Sequence, residues 1–132
     1  MLIEVLVAAV IITVAVTAAA GMLIQSAKSN ASAEKCFVAA SLAQKQIEGL
    51  KSKTAADWAG LAIPETGELD LGAVWQSEKN STVRLNHTVY TLVSLASKCP
   101  EDIADLVQVR VIVAWSSKAG DSMEMTAVFS KF

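Results

Sequence analysis

Residues 5–24 of the chain read VLVAAVIITVAVTAAAGMLI. These positions carry no charged side chain, and a run of about 20 apolar residues is what a helix needs to cross the hydrocarbon core of a bilayer. After Gln25, charged residues recur every few positions, which is typical of a water-soluble domain. The sequence therefore predicts two parts: an apolar helical segment, residues 1–25, and a globular head, residues 26–132.

The apolar helix is predicted to continue into the head over residues 26–53. Proline is absent from this stretch, and small or apolar side chains recur at helical spacing. The stripe consists of Ala33, Cys36, Ala40, Ala43, Ile47 and Leu50. The spacing predicts one helix of about 50 residues, or roughly 75 Å at about 1.5 Å per residue, with its second half lying on a core and Cys36 on the buried side.

The rest of the head is predicted to be a connection followed by a sheet. Pro64, Gly67 and Gly72 mark residues 54–82 as irregular, with a short helical turn at 54–58. Apolar and polar residues then alternate over 83–94, 107–116 and 123–129, which indicates strands in an antiparallel sheet spanning 83–132. The predicted class is α+β: a long N-terminal helix packed on a C-terminal antiparallel sheet.

Composition argues against several classes of function. The net charge is −2 without a basic run, which disfavours a nucleic-acid partner held by phosphate contacts. Two cysteines and one histidine, His87, are too few for a zinc site. His87 is read as part of a strand with a structural or surface role. No nucleophile–base pair stands out, so we expect a protein that is not an enzyme.

The two cysteines, Cys36 and Cys99, leave two interpretations open. Well-separated cysteines in an oxidising compartment fit one disulfide, and buried free thiols are the alternative. A bond between them would clamp the helix to the sheet and close a loop of about 64 residues, contributing about 4 kcal/mol in the chain-entropy model.

Glu4 is the most informative residue of the apolar segment for its function. A carboxylate within a spanning segment costs about 2.5–3.5 kcal/mol at the bilayer centre and is usually functional where it occurs. The simpler interpretation places Glu4 at the membrane interface, where the positive end of the helix dipole stabilises it.

The seven residues Leu2–Ala8, LIEVLVA, resemble the start of mature type IV pilins and type II secretion pseudopilins. In that family an apolar helix follows, then an amphipathic extension, a variable connection and an antiparallel sheet. The stretch 109–129, VRVIVAWSSKAGDSMEMTAVF, also looks like the closing hairpin of pilin-like proteins. The resemblance implies the pilin fold, in agreement with the class predicted above.

The resemblance also implies roles for particular residues. Glu4 takes the place of the family glutamate that pairs with the N-terminal amine of a neighbouring subunit, and Met1 carries that amine, which is usually methylated. The family glutamate is normally the fifth residue of the mature chain, whereas here it is the fourth. Two interpretations stay open: the mature chain has one further residue before Met1, or Met1 is first and the spacing between amine and carboxylate differs by one residue. With no basic leader, the sequence reads as mature protein. Gly21 is the expected weak point, with local unravelling somewhere in residues 13–22 inside a filament.

The function that the resemblance implies is structural. The protein is expected to be stored in the inner membrane as a single-pass protein among lipids, and to polymerise with copies of itself, aided by pilus assembly machinery and minor pilins, into a surface filament or periplasmic pseudopilus. The alternatives are a minor pilin or pseudopilin that primes or tips the fibre, an adhesin or DNA-uptake pilin, and a bitopic envelope protein that does not polymerise.

No cofactor is expected, because solvated loop charges are the favoured interpretation of the carboxylates; calcium, which such pseudopilins often bind, is the alternative. The candidate ligands are the carboxylates of the connection and of the loop before the last hairpin, since calcium prefers oxygen ligands. The two candidate sets are Glu65, Glu68 and Asp70, and Glu101, Asp102 and Asp105.

Overall fold

The computed structural model describes residues 2–75, 81–99, 106–116 and 121–130. The chain divides into two compact units, Met1–Lys35 and Cys36–Phe132. In chain order the elements are α1 (Leu2–Lys51), α2 (Ala55–Ala59), β1 (Leu69–Asp70), α3 (Leu71–Val74), β2 (Ser81–Leu85), β3 (Thr88–Lys98), β4 (Leu106–Ala114) and β5 (Ser122–Ser130). The predicted α+β class, a long N-terminal helix packed on an antiparallel sheet, is confirmed.

The part of α1 that belongs to the head packs one face on the sheet. Ala39, Ala43, Ile47 and Leu50 are buried, at spacings of four, four and three residues. This spacing keeps them on one side of a helix with 3.6 residues per turn. Alanine at the first two positions leaves little side chain between the helix backbone and the strands, so the helix can lie close to the sheet there.

The predicted stripe was wrong at its N-terminal end, because Cys36 is exposed. Seven residues make almost two full turns, so Cys36 does lie on the same side of α1 as Ala43. Its side chain is nevertheless exposed, because the packed surface of the helix begins only at Val38 and Ala39. Periodicity identified the correct side of the helix but not the turn at which packing starts.

The sheet is antiparallel throughout, with the strand order β1-β3-β4-β5 and β2 also paired to β3. β1 pairs with the Leu95–Ala96 end of β3, and β2 pairs with the Thr88–Leu92 end. The two short strands therefore share one edge of β3. β4 and β5 pair without interruption from Leu106↔Ser130 to Ala114↔Ser122, which confirms the predicted closing hairpin.

The single strand predicted over 83–94 is instead a hairpin that turns at Asn86 and His87. Both residues have positive φ, 46° and 62°, and Leu85 pairs with Thr88 across them. Two central residues with positive φ define the type I′ turn, whose twist matches that of the flanking strands. The usual signal for this turn is Asn-Gly, and histidine in second place concealed it. His87 thus lies in a turn and not within a strand.

The turn also decides which residues of β3 face the core. Val83 pairs with Tyr90 and Ser81 with Leu92, so odd-numbered residues of β2 share a face with even-numbered residues of β3. The core face of the sheet consists of Tyr90, Leu92, Ser94 and Ala96 from β3, Val107, Val109, Val111 and Val113 from β4, and Met123, Met125, Ala127 and Phe129 from β5.

One polar contact crosses between helix and sheet inside this core. Ser94 is 2% exposed, and Gln46 Nε2 donates a hydrogen bond to Ser94 Oγ over 3.4 Å. A buried hydroxyl without a partner would cost free energy, so this bond satisfies Ser94 and fixes the helix against β3 at one point. Within the part of the chain that the structure describes, no buried side-chain nitrogen or oxygen lacks a hydrogen-bond partner.

His87→Gly is expected to stabilise the head by about 0.5 kcal/mol. Left-handed backbone costs a residue with a Cβ roughly 1–2 kcal/mol, and this relief exceeds the roughly 0.5–1 kcal/mol of extra entropy that glycine loses on folding. Urea unfolding of the variant beside wild type measures the difference. His87→Ala is the matched control: it keeps the Cβ and should gain nothing. Equal midpoints for the glycine and alanine variants would contradict the assignment of the turn.

Candidate functional site

The first unit carries an extended apolar surface. From Leu2 to Ile24 the helix exposes large apolar side chains on every side, each at least half exposed. By length and composition this helix could cross a membrane, which agrees with the coarse prediction of an apolar N-terminal anchor. The exposed set comprises Leu2, Ile3, Val5, Leu6, Val7, Val10, Ile11, Ile12, Val14, Val16, Met22, Leu23 and Ile24.

The polar side chains within this segment satisfy themselves. Thr13 Oγ1 donates to the Ala9 carbonyl oxygen and Thr17 Oγ1 to the Thr13 carbonyl oxygen, each over 2.7 Å. A threonine hydroxyl bonded to the carbonyl four residues earlier presents only its methyl group to the surroundings. Neither threonine therefore opposes burial in lipid or against apolar helices, and Glu4 is left as the one charged residue before Lys28.

Glu4 lies in the first turn of α1. A carboxylate at this position interacts favourably with the positive end of the helix dipole and with the unpaired backbone N–H groups. Met1, the predicted bearer of the partner amine, lies outside the described residues. The pairing of Glu4 with an amine concerns a second subunit and stays a prediction.

Gly21 lies within a helix that continues without interruption from Leu2 to Lys51. A Cβ placed on Gly21 would meet no atom within 4 Å, so no close contact requires glycine here. The remaining consequence of the residue is its low helix propensity, about 1 kcal/mol below that of alanine. Unravelling at 13–22 was predicted for a packed filament and stays a prediction.

The two cysteines are not joined in the structure, in which both are free thiols. Cys36 is exposed on α1 and Cys99 is half-buried after β3. Since the buried position predicted for Cys36 was wrong, the structural reason for a bond between them is weaker than the sequence suggested. The disulfide stays a prediction, and thiol titration of denatured, unreduced protein measures it: two reactive thiols per chain would exclude the bond, and none would support it.

The first predicted calcium set is spread over three different contacts. The Glu65 carboxylate lies 3.3 Å from Lys98 Nζ, Glu68 pairs with Arg110, and Asp70 Oδ1 accepts from the backbone N–H of Gly72 over 2.8 Å as the N-cap of α3. No group of three His, Cys, Asp or Glu side chains suited to a metal occurs in the described ranges. The second set, Glu101, Asp102 and Asp105, lies outside them.

Comparison with models of known protein families, with curated proteins and with solved structures found no match. The functional interpretation therefore depends on the residues of this chain and on their geometry.

An arginine between two carboxylates, which the sequence analysis missed, organises the outer face of the sheet. Arg110 on β4 forms ion pairs with Glu68 from the connection and with Glu124 on β5, the latter at 3.4 Å from Nη1. Ser97 and Gln108 complete a small polar hollow around it. Alternation already placed Arg110 and Glu124 on the polar side of their strands, so the second pair was foreseeable from the hairpin. The pair with Glu68 depends on where the connection runs.

An aromatic cluster closes the core below the short helix α2. Trp58 is 3% exposed, stacks on Phe129 of β5 with ring centroids 4.9 Å apart, and meets Trp75 edge to face at 5.0 Å. Lys53 Nζ lies 5.2 Å from the centre of the Trp75 ring, within the range of a cation–π interaction. These contacts belong to the hydrophobic core, in which Trp75 and Phe129 pack against the buried Trp58.

A capping box sets the position of Trp58 in α2. The Asp57 side chain accepts from the Thr54 backbone N–H and hydroxyl, over 2.9 Å and 2.8 Å, and the Thr54 hydroxyl accepts from the Asp57 N–H. These bonds from Thr54 lower the pKa of the Asp57 carboxyl below its usual value, because they favour the ionised form. The contribution of the box is therefore present above the ordinary aspartate pKa and is lost as the pH falls through the lowered one.

Proposed function

We propose that this protein is a structural subunit of a type IV pilus-like filament, held in a membrane by residues 2–24 before assembly and polymerised through the same residues. The observation that carries the proposal is the segment 2–24 of α1, which is exposed and apolar on all sides and has its one charged residue, Glu4, in the first turn of the helix. A plain membrane anchor tolerates Glu4 at the interface without requiring it, whereas an assembling helix uses the carboxylate to pair with a neighbouring subunit.

The physical argument concerns what can cover this surface. Apolar area in water is unfavourable at about 25 cal/mol per Å², so the segment is stable only in lipid or against similar helices. Both environments are apolar, and moving between them costs little. Storage in a bilayer and packing in a filament core are therefore compatible uses of one segment. Its sequence similarity to the start of pilins, Leu2–Ala8, supports the second use.

Glu4 supplies the specificity that apolar packing lacks. A carboxylate buried alone among helices costs several kcal/mol, and an ammonium group buried alone costs a comparable amount. Two subunits that bring Glu4 of one next to the N-terminal amine of the other remove both penalties at once. Only one axial stagger achieves this, so the pair selects that stagger from the many that apolar surfaces allow.

The head contributes a folded unit that stays in water. Its core lies between the second half of α1 and the sheet, and its outer sheet face carries the Arg110 ion pairs. Polymerisation through α1 leaves this core unchanged. We place the subunit in a surface filament or a periplasmic pseudopilus, with copies of itself as its main partners.

The test is Glu4→Ala in cells that make the protein. The variant is expected to stay in the membrane fraction and to fall at least tenfold in fibres sheared from the cells, measured by mass spectrometry and electron microscopy. Glu48→Ala, which removes an exposed carboxylate from the head part of the same helix, is the control and should leave fibres unchanged.

Three outcomes separate the proposal from its rivals. Normal fibres from Glu4→Ala would refute the role of the pair. Fibres that contain the wild-type chain in only a few copies would assign it to the minor pilins or pseudopilins. A wild-type chain found in membranes and never in fibres would identify a bitopic protein that does not polymerise.

A further inference from the structure

The sheet ends at β5, and this edge differs from the opposite one. β5 runs nine residues in unbroken register with β4, and no strand of the described part of the chain lies along its other edge. The opposite edge is formed by β1 and β2, of two and five residues. Natural proteins protect exposed edges with short strands, bulges, proline or charged side chains, most often lysine. β5 is nine residues long, has no bulge, proline or lysine, and carries one charged side chain, that of Glu124.

The core face of β5 is also incompletely covered. Met123, Met125, Ala127 and Phe129 point toward the core but are only partly buried, whereas the four valines of β4 beside them are buried completely or nearly so. A backbone edge without a neighbouring strand and a partly buried apolar row thus occur on the same strand. A strand added alongside β5 would form hydrogen bonds with its backbone edge and would cover more of its apolar row.

We propose that this edge binds β5 of a second copy of the chain in an antiparallel, two-fold contact. The sequence SMEMTAVFS is complementary to itself in the register that pairs all nine residues, which places Thr126 opposite the partner's Thr126. Met123 then lies opposite the partner's Phe129, a sulfur–aromatic contact, and Thr–Thr pairs are favourable across strands.

The position of the charged residue on β5 favours the same register. Glu124 is the one charged residue of β5, and it lies opposite the partner's Val128, about 13 Å along the strand from the partner's Glu124. Moving the centre of the pairing to Glu124 would bring the two carboxylates face to face and shorten the ladder. Maximal pairing and minimal repulsion therefore select one alignment. The contact uses the head alone and does not depend on the proposed role of residues 2–24.

The test is a disulfide scan on the full chain in detergent, in a background with Cys36→Ser and Cys99→Ser. Thr126→Cys is expected to form a covalent dimer under mild oxidation, at least tenfold more than Val128→Cys. Both positions are exposed on the same face of β5, but only residue 126 meets its own copy. Two cysteines at 128 would lie about 13 Å apart, beyond the roughly 7 Å limit between Cα atoms in a disulfide. Circular dichroism checks that each variant is folded.

A second variant tests the contact without cysteine chemistry. Thr126→Lys in the wild-type background places two ammonium groups opposite each other and should shift the chain toward monomer in light scattering. Thr91→Lys, at an exposed position on the same sheet face but on β3, should not. Equal cross-linking at 126 and 128, or no cross-link at 126 in a folded chain, overturns the proposal. A chain that is monomeric before any substitution excludes the second copy as occupant of the edge.

Discussion

Trp58→Ala is expected to lower the free energy of unfolding of the head by about 3–5 kcal/mol, which is the usual cost of truncating a buried tryptophan. The indole is almost fully buried and contacts two other aromatic rings, those of Phe129 and Trp75. Truncation removes apolar burial and both ring contacts, and it leaves a cavity that a five-residue helix held by one capping box cannot close. Urea unfolding, followed by the fluorescence of the remaining tryptophans, measures the loss.

Two further variants help to explain the change in stability measured for Trp58→Ala. Trp58→Phe keeps an aromatic ring over Phe129 and should recover part of the loss, since stacked pairs contribute about 0.5–1.5 kcal/mol beyond burial. Ala59→Ser, at the exposed neighbouring position of the same short helix, should change stability by less than about 0.5 kcal/mol. A loss below about 1 kcal/mol for Trp58→Ala would mean that α2 does not close the core.

Leu50→Ala is the second large effect that we expect, with a cost of about 2–5 kcal/mol. Leu50 is fully buried in the last turn of α1 and belongs to the same core cluster as the strand valines. The loss should appear in the head and leave membrane retention unchanged, because residues 2–24 are not altered. Urea unfolding together with membrane fractionation measures both quantities.

Lys45→Ala is the matched control for Leu50→Ala. Lys45 is exposed on the same helical segment, so its removal tests helix propensity without packing and should change stability by less than about 0.5 kcal/mol. Equal effects for the two variants would show that the second half of α1 is not held by the sheet. A Leu50→Ala chain lost from the membrane would contradict the proposal that residues 2–24 hold the protein there.

The packing of α1 on the sheet shows which buried residues helical spacing in the sequence can predict and which it cannot. Ala43, Ile47 and Leu50 were predicted on the buried face and are buried. Cys36 lies on the same side of the helix but is exposed. Helical spacing determines the side on which a residue lies, whereas the length of helix that the sheet covers depends on the tertiary structure. This error affects the predicted disulfide, because the structural argument for a bond between Cys36 and Cys99 assumed that Cys36 is buried.

The strands show a second limit of prediction from sequence periodicity. The valines of β4 alternate in an unambiguous pattern, and their burial followed the prediction. In β2 and β3 the alternation continues through Asn86 and His87 in the sequence, while the chain reverses there. A two-residue turn changes the parity of the core-facing residues, so no count along the chain could assign Tyr90 and Leu92 to the core.

The apolar run that opened the sequence analysis was determined by the sequence itself. Twenty uncharged positions and a carboxylate at Glu4 require no partner elsewhere in the chain to be recognised, because hydrophobicity and charge are properties of each residue and helical periodicity links only near neighbours. Tertiary structure alone decided the stacking of Trp58 on Phe129 and the ion pair between Glu68 and Arg110. Each of these joins segments distant in sequence, and their meeting depends on turn geometry and strand order, which local pattern does not encode.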